Sequence, residues 1–201
     1  MRQETAGVTE TLIDSAKKEF LEHGFQNANL RRISSESGVS TGSIYTRFGD
    51  KAGLFSAVVK PAADGLMKMY LDSITAATES GDPAEATSQG DEGTELVLKY
   101  IYDNFDVFKL IFCHSAGTEY EHYFDELAET EEKYYREFVK QFSRRENMVS
   151  DFFIHVICRT GWSYIYEVVS HDLSYDEAQV FMKSIREFCF AGWGKVLGAE
   201  L

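Results

Sequence analysis

Proline is almost missing from this chain, with only Pro61 and Pro83 in 201 residues. A sheet of many short strands would need more turn formers than that, and strand-like alternation of apolar and polar residues is absent as well. The three cysteines, Cys113, Cys158 and Cys189, are odd in number and contain no CxxC pair. That excludes a disulfide framework and a zinc ribbon, and the thiols are expected to be reduced and buried. No apolar run approaches the roughly 18 residues of a membrane span, and no basic segment followed by an apolar one opens the chain. A soluble, cytoplasmic protein without membrane association is expected. An excess of positive charge is lacking too: the formal net charge is −13.

The acidity is unevenly placed. Residues 1–60 hold eight Lys/Arg against seven Asp/Glu, whereas residues 61–201 hold twelve against twenty-six. Between residues 27 and 48 the only acid is Glu36, against Arg31, Arg32 and Arg47. That stretch can face a phosphate backbone while an acidic body is repelled from it.

Apolar residues recur at intervals of three and four through most of the chain, which predicts an all-α protein of about nine helices. The first helix is expected over Thr9–His23, with Leu12, Ala16 and Phe20 on one face and Gly24 ending it. Asn29 caps a short second helix that turns Leu30, Ile33 and Ser34 inward, and Gly38 closes it. A third helix starts at Ser40 and ends near Phe48, with Ile44 and Phe48 on its buried side. Asp50 starts a long fourth helix carrying Leu54, Phe55, Val58 and Val59, which Pro61 is expected to kink. The stretch Thr78–Gly93 has almost no apolar residue and reads as an exposed linker. Further helices are expected over Thr94–Asn104, Asp106–Ser115, Glu119–Phe142, Val149–His171 and Ser174–Leu197.

Residues 29–48 have the parts of a helix-turn-helix. Ile33 and Val39 pin two helices together, Gly38 permits a left-handed turn, and Ser40, Thr41, Gly42 and Ser43 keep the second helix's N-terminus small and polar. Small residues let backbone approach DNA closely, and the free N–H groups at that end bind phosphate. The run Leu30–Phe55, LRRISSESGVSTGSIYTRFGDKAGLF, resembles the signature of the TetR/AcrR regulator family in Ile33, Gly38, Val39, Ser40, Gly42, Ile44, Tyr45, Phe48, Lys51 and Leu54. The resemblance covers about a quarter of the chain.

The resemblance implies a three-helix DNA-binding head, residues 1–50, on a helical ligand-binding and dimerisation body, residues 51–201. It implies that Ser40, Thr41, Gly42, Tyr45, Thr46 and Arg47 face a double-stranded operator, that Lys51 holds a backbone phosphate, and that Asn29 and Arg31 contact phosphate beside them. Where the family often has histidine or another aromatic before the phenylalanine, this chain has Arg47, open to a phosphate or a guanine contact. Against this stands the plainer reading that Tyr45 and Phe48 fill the core of a small head and the arginines are a solvated face.

One head makes too few contacts for useful specificity, so a homodimer on a palindromic operator is expected. The last two helices offer faces wider than a lone hairpin buries, and Phe152, Val156, Phe181, Ile185, Phe188 and Trp193 are the candidate interface. Packing of some of these against the preceding helix is the alternative. The body is rich in aromatic residues, among which Phe105, Phe108, Phe112, Trp162 and Tyr166 are candidate walls of a pocket for an apolar or aromatic ligand. The family resemblance implies an inducer that releases the protein from DNA, with Pro61 and Gly65 a possible bend between head and body. A cationic ligand facing Glu119, Glu167 or Asp103 is a weaker alternative, since charge runs such as Glu129–Glu132 usually lie at the surface.

Two rival readings remain. A constitutive DNA-binding regulator without inducer predicts a fully packed body. An enzyme is disfavoured, because Cys113 and His114 point to different faces and no phosphate-binding glycine-rich loop or nucleophile–histidine arrangement is present. His155 and Cys158 share a helical face but have no second pair for a metal, and no cofactor is implied.

Overall fold

A computed structural model of the chain describes residues 7–79, 83–143 and 149–198, except for the side chains of 76–79, 83–91 and 142. Among the described residues it contains nine α-helices, one short 3-10 turn and no strand. The helices are α1 (Val8–Asn27), α2 (Leu30–Ser37), α3 (Thr41–Phe48), α4 (Lys51–Glu79), α5 (Pro83–Asp103), α6 (Phe105–Cys113), α7 (Tyr123–Phe142), α8 (Asp151–Ser170) and α9 (Tyr175–Leu197), with the turn Glu119–His122 before α7.

Local chemistry sets most of these boundaries. Gly24, at φ 69° and ψ 164°, breaks the regular course of α1, as its position in the sequence predicts. Asp50 accepts a hydrogen bond from the Gly53 N–H and so caps α4. Ser174 and Glu177 form a reciprocal capping box at the start of α9. α4 continues without interruption through Pro61. Gly65 is where α4 meets Tyr100 of α5, and a Cβ there would collide with the tyrosine hydroxyl. Its role is this close approach.

Two expectations need correction. The stretch 78–93 is not a linker: 78 and 79 end α4, 80–82 lie outside the described residues, and from Pro83 the backbone is helical. Proline suits a first helical position because its missing N–H would have no intrahelical partner there, and Ala84, Glu85 and Ala86 are strong helix formers. Scarcity of apolar residues therefore did not mean absence of helix. The run Glu129–Glu132 is not uniformly solvated either. Glu129 is exposed, but Glu132 is buried, bonded to Arg136 at 2.8 Å and to the His155 ring at 2.7 Å.

The chain packs as two compact units. The first comprises residues up to Asp64 together with Asn104–Tyr123. Its core holds Leu12, Ala16 and Phe20 of α1, Ile33 of α2, Ile44 of α3, Leu54, Phe55, Val58 and Val59 of α4, and Phe108, Leu110 and Ile111 of α6. Edge-on rings of Phe20 and Phe25 against Phe55, at 5.0 and 5.4 Å, fasten α1 to α4. The Ser56 and Tyr120 hydroxyls meet at 3.1 Å, and the Tyr123 hydroxyl donates to the Ala63 carbonyl at 2.7 Å. The segment 104–123 is thus part of the same packing unit as the helix-turn-helix.

The second unit comprises Gly65–Asp103 and Phe124–Leu201. Leu66 and Tyr70 of α4, Val97, Leu98 and Ile101 of α5, Leu127 and Ala128 of α7, Ile154, Cys158, Trp162 and Ile165 of α8, and Ala178 and Met182 of α9 form its core. Glu131 sits one helical turn from both Leu127 and Tyr135, on the inward stripe of α7. Its Oε2 atom is sealed from solvent without a hydrogen-bond partner. Burial raises its pKa to about 8, although the Tyr70 hydroxyl and Trp162 indole N–H, turned towards it, favour the charged form.

This shift makes stability pH-dependent. An ordinary carboxyl, near 4.5, loses its proton in the unfolded chain well before folded Glu131 does. The native state therefore binds more protons over that interval, and stability falls as pH rises from about 4.5 through about 8. Melting temperatures measured by circular dichroism between pH 5 and 9 are expected to decline in the wild type, reflecting a loss of stability of up to about 1.4 kcal/mol per pH unit. Glu131→Gln is expected to remove that decline.

Candidate nucleic-acid interface

The interface begins with a carboxylate on α1. Glu19 lies on the same inward face as Leu12, Ala16 and Phe20 and is only 6% exposed. It accepts from the Asn29 N–H at 2.7 Å and from Arg32 through Nε at 2.8 Å and Nη2 at 2.5 Å. Burial alone would raise its pKa, but the Arg32 guanidinium, the Asn29 N–H and the neighbouring His23 outweigh it and hold the carboxyl below 4.5. Arg32 also donates to the Asn27 carbonyl at 3.1 Å. The start of α2 is thereby tied to α1.

The Asn29 side chain accepts from the Arg31 N–H at 2.8 Å and caps α2, as expected. Gly38, at φ 69° and ψ 10°, makes the left-handed turn that a residue with a Cβ would resist. Ser40 then caps α3, accepting from the Ser43 N–H at 3.2 Å with the two hydroxyls 3.0 Å apart. Ile33 and Ile44 are fully buried beneath the turn and Leu30 is half-buried. Phe48 is half-buried, so it closes the edge of the core and does not fill its centre.

What α3 leaves outside is polar and small. Gly42, Tyr45 and Thr46, at helical spacings of three and four, share one exposed face, and Tyr45 is 55% exposed. Its ring therefore does not serve as core, which removes the plainer reading of that residue. Thr46 donates to the Gly42 carbonyl at 2.8 Å. Ser40, Asn29 and Arg31 are exposed beside this face, while Thr41 and Ser43 are half-buried. Arg47 is exposed but placed towards the start of α1, its Nη1 3.4 Å from the Thr9 hydroxyl.

Lys51 has a second occupation that the sequence did not reveal. Its ammonium donates to the carbonyls of Gln26 at 3.0 Å and Ala28 at 3.2 Å, and lies 4.7 Å from the Phe25 ring centroid. It thus satisfies acceptors where α1 ends, and one of its three N–H donors remains for an outside oxygen. Glu19 and Arg32 were also missed as partners. The available signal was an acid set on the apolar stripe of α1.

The other candidate residues are divided between the two units. Phe105, Phe108 and Phe112 lie in the first unit, where the rings of Phe108 and Phe112 are 5.7 Å apart. Trp162 and Tyr166 lie in the second, Trp162 buried and Tyr166 37% exposed. On α8 and α9, Phe152 is 74% exposed, Val156 43% and Phe188 72%, while Phe181 and Ile185 are half-buried. Trp193 is already engaged, stacked on Tyr135 at 5.1 Å and edge-on to Phe153. Of the residues suggested as counter-charges for a cation, Glu119 and Glu167 are exposed and Asp103 pairs with Lys99 at 2.7 Å.

Residues 12–58 match the profile of bacterial regulatory proteins of the tetR family. The transcriptional repressor AcnR of Corynebacterium glutamicum is 38% identical over 52 residues, which are 26% of this chain and 28% of that one. A transcriptional repressor of Mycobacterium tuberculosis is 37% identical over 49 residues, 24% of this chain and 26% of its own. The chain thus aligns with about a quarter of these relatives' length. In three dimensions, the TetR family regulator PfmR of Thermus thermophilus covers 94% of this chain and 98% of its own, with a TM-score of 0.62 at 18% identity. A transcriptional regulator of Aquifex aeolicus covers 91% and 98%, with a TM-score of 0.61 at 15% identity. At such identities the likeness is one of fold.

The two carbonyl contacts of Lys51 give a clear expectation. Lys51→Met should destabilise the free protein by about 1 kcal/mol, because two carbonyls at the end of α1 lose a charged donor. Thermal unfolding without DNA measures this. A residue that served phosphate alone would leave the free protein unchanged.

Proposed function

We propose that this chain is a transcriptional repressor of the TetR family, from the match of residues 12–58 to the profile of that family and the likeness of its head to known repressors. It binds a palindromic DNA operator as a homodimer and leaves it on taking up a small, largely apolar or aromatic inducer. The observation that carries this reading is the exposed face of Gly42, Tyr45 and Thr46 on a helix whose other side is pinned by Ile44. A tyrosine more than half exposed on a capped helix of eight residues serves no packing purpose there, and it suits a wet interface with phosphate.

In this reading Ser40, Thr41, Gly42 and Ser43 bring the α3 N-terminus close to the groove, and Tyr45 and Thr46 lie along it. Asn29, Arg31 and the remaining donor of Lys51 hold phosphates on either side. Arg47, standing near Thr9, is better disposed to phosphate than to a base edge.

The dimer is supported by apolar side chains left in solvent on two consecutive helices. Phe152 and Val156 are one turn apart on α8, and Val180 and Phe188, two turns apart on α9, are 70% and 72% exposed. Apolar surface of this kind on neighbouring helices favours a second copy of the same surface. Among the described residues, no helix is long and apolar enough to cross a membrane.

Two outcomes follow for solution work. Phe188→Glu should convert a dimer to a monomer in sedimentation experiments and weaken operator binding by at least tenfold, since each half-site alone binds poorly. Binding-site selection on Arg47→Ala should return the wild-type consensus with uniformly lower affinity; a changed base preference at one position would instead assign Arg47 to direct readout. Absence of any double-stranded DNA preference in both proteins would remove the repressor reading itself.

A further inference from the structure

The corner between α1 and α2 turns its backbone carbonyls to cations. Gln26 and Ala28 accept from the Lys51 ammonium, and Asn27 accepts from Nη2 of Arg32 at 3.1 Å. Behind the corner lies Glu19, only 6% exposed. It takes the Asn29 N–H at 2.7 Å and one side of the same guanidinium, whose Nε is 2.8 and 3.0 Å from the two carboxylate oxygens. Lys51 is among the phosphate contacts that the family resemblance implies, whereas Arg32 is not.

These bonds do not exhaust Arg32. A guanidinium carries five N–H donors in a rigid plane. The Nε–H and one N–H of Nη2 go to Glu19 and the other N–H of Nη2 goes to Asn27, so both donors on Nη1 are left over among the described residues. Because the central carbon is trigonal, Nη1 points away from whatever the edge formed by Nε and Nη2 binds. It is thereby turned from the buried carboxylate, and the Arg32 side chain is 49% exposed. The ion pair is neutral as a whole, but its positive end is the one that meets solvent. The other acid acting on Arg32, Glu22, faces His23 at 3.7 Å.

We propose that Arg32 is a further phosphate-binding residue of the head, taking a DNA phosphate oxygen on Nη1 beside Asn29. The two residues share one acceptor atom, Glu19 Oε1, so they stand side by side at the start of α2, where Asn29 and Arg31 are also exposed. A guanidinium N–H to a phosphate oxygen is a charge-assisted hydrogen bond, stronger than one between neutral groups. The bonds to Glu19 and Asn27 already order the side chain, so little rotamer freedom is lost when a phosphate arrives. Such a contact fixes register and strength and carries no base preference. This inference rests on the reading that the head binds duplex DNA, and it adds a contact to that interface.

The test removes one charge of each sign in the full chain, by Glu19→Gln together with Arg32→Gln. Net charge is unchanged, and the amide oxygen at position 19 still accepts the Asn29 N–H. Affinity for a double-stranded fragment from the chain's own upstream region is measured against salt concentration. In the double variant the logarithmic slope should become shallower by about 0.9, the value for one phosphate contact. Affinity at low salt should drop by roughly tenfold, as for loss of one charged hydrogen bond. Glu19→Gln alone keeps the guanidinium and should keep the wild-type slope. A folded double variant with the wild-type slope, or a slope already reduced in Glu19→Gln, would overturn the proposal. Where circular dichroism shows the double variant unfolded, the guanidinium NMR signals of Arg32 in the wild-type chain decide. The Nη1 protons should shift and exchange more slowly with water as the fragment is added, and signals that stay in place overturn the proposal. Steep salt dependence in the wild type beside an indifferent Arg32 sinks this contact alone and leaves the repressor reading standing. A wild-type chain without salt-sensitive affinity for duplex DNA removes both.

Discussion

The carboxylate of Glu19 reaches from the buried face of α1 to the first turn of α2, where it takes the Asn29 N–H and the forked guanidinium of Arg32. Everything that presents α3 to its surroundings follows from that anchorage. The entry of α2 is fixed against α1, Ile33 is thereby set in the core, Gly38 turns the chain, and Ile44 settles beneath it with the polar edge of α3 outward. A buried ion pair gains little net stability over a well-packed apolar pair, because both charges give up hydration. Its effect here is geometric, since the Asn29 N–H and the Arg32 guanidinium both converge on the one carboxylate and hold the start of α2 against α1.

The two units treat buried acids in opposite ways. Glu19 is surrounded by donors and a cation and stays ionised below the ordinary carboxyl range, whereas Glu131 sits among rings and thiols and holds its proton to about pH 8. The same side chain thus becomes a fixed structural clamp in one environment and a proton-holding acid in the other, with burial raising the pKa in both. The difference lies in the company: Arg32 against Tyr70, Cys158 and Trp162. Lys51 shows a related economy, joining the end of α1 to the start of α4 while keeping one donor free for an outside partner.

Features carried by residues close in sequence were legible without coordinates. Asn29, Gly38, Ser40 and Ser174 stand where caps and turns need them, Gly24 breaks α1, and the all-helical fold follows from apolar spacing. Features carried by distant pairs were not. Glu19 and Arg32 are thirteen residues apart on different helices, and nothing local links them. Glu131 was hidden in a run of acids whose average suggests a surface, although its spacing from Leu127 and Tyr135 places it on the inner stripe. The helical start of α5 was misread for a related reason: apolar periodicity reports burial, and a helix can form where the sequence shows little of it. The face of α3 was legible because its small, polar residues recur at fixed helical spacing beside a buried Ile44.

In the proposed reading the edge from Ser40 to Arg47 lies in a duplex groove, with phosphates held by the flanking cations. Its most direct test is the salt dependence of affinity for a double-stranded fragment from the chain's own upstream region. Phosphate contacts release counterions, so the logarithm of the binding constant should fall linearly with that of salt concentration, by about 0.9 for each phosphate contacted. A slope of several units that becomes shallower in Arg31→Ala is the expected result. Affinity for duplex DNA that is absent, or indifferent to salt, would contradict the account.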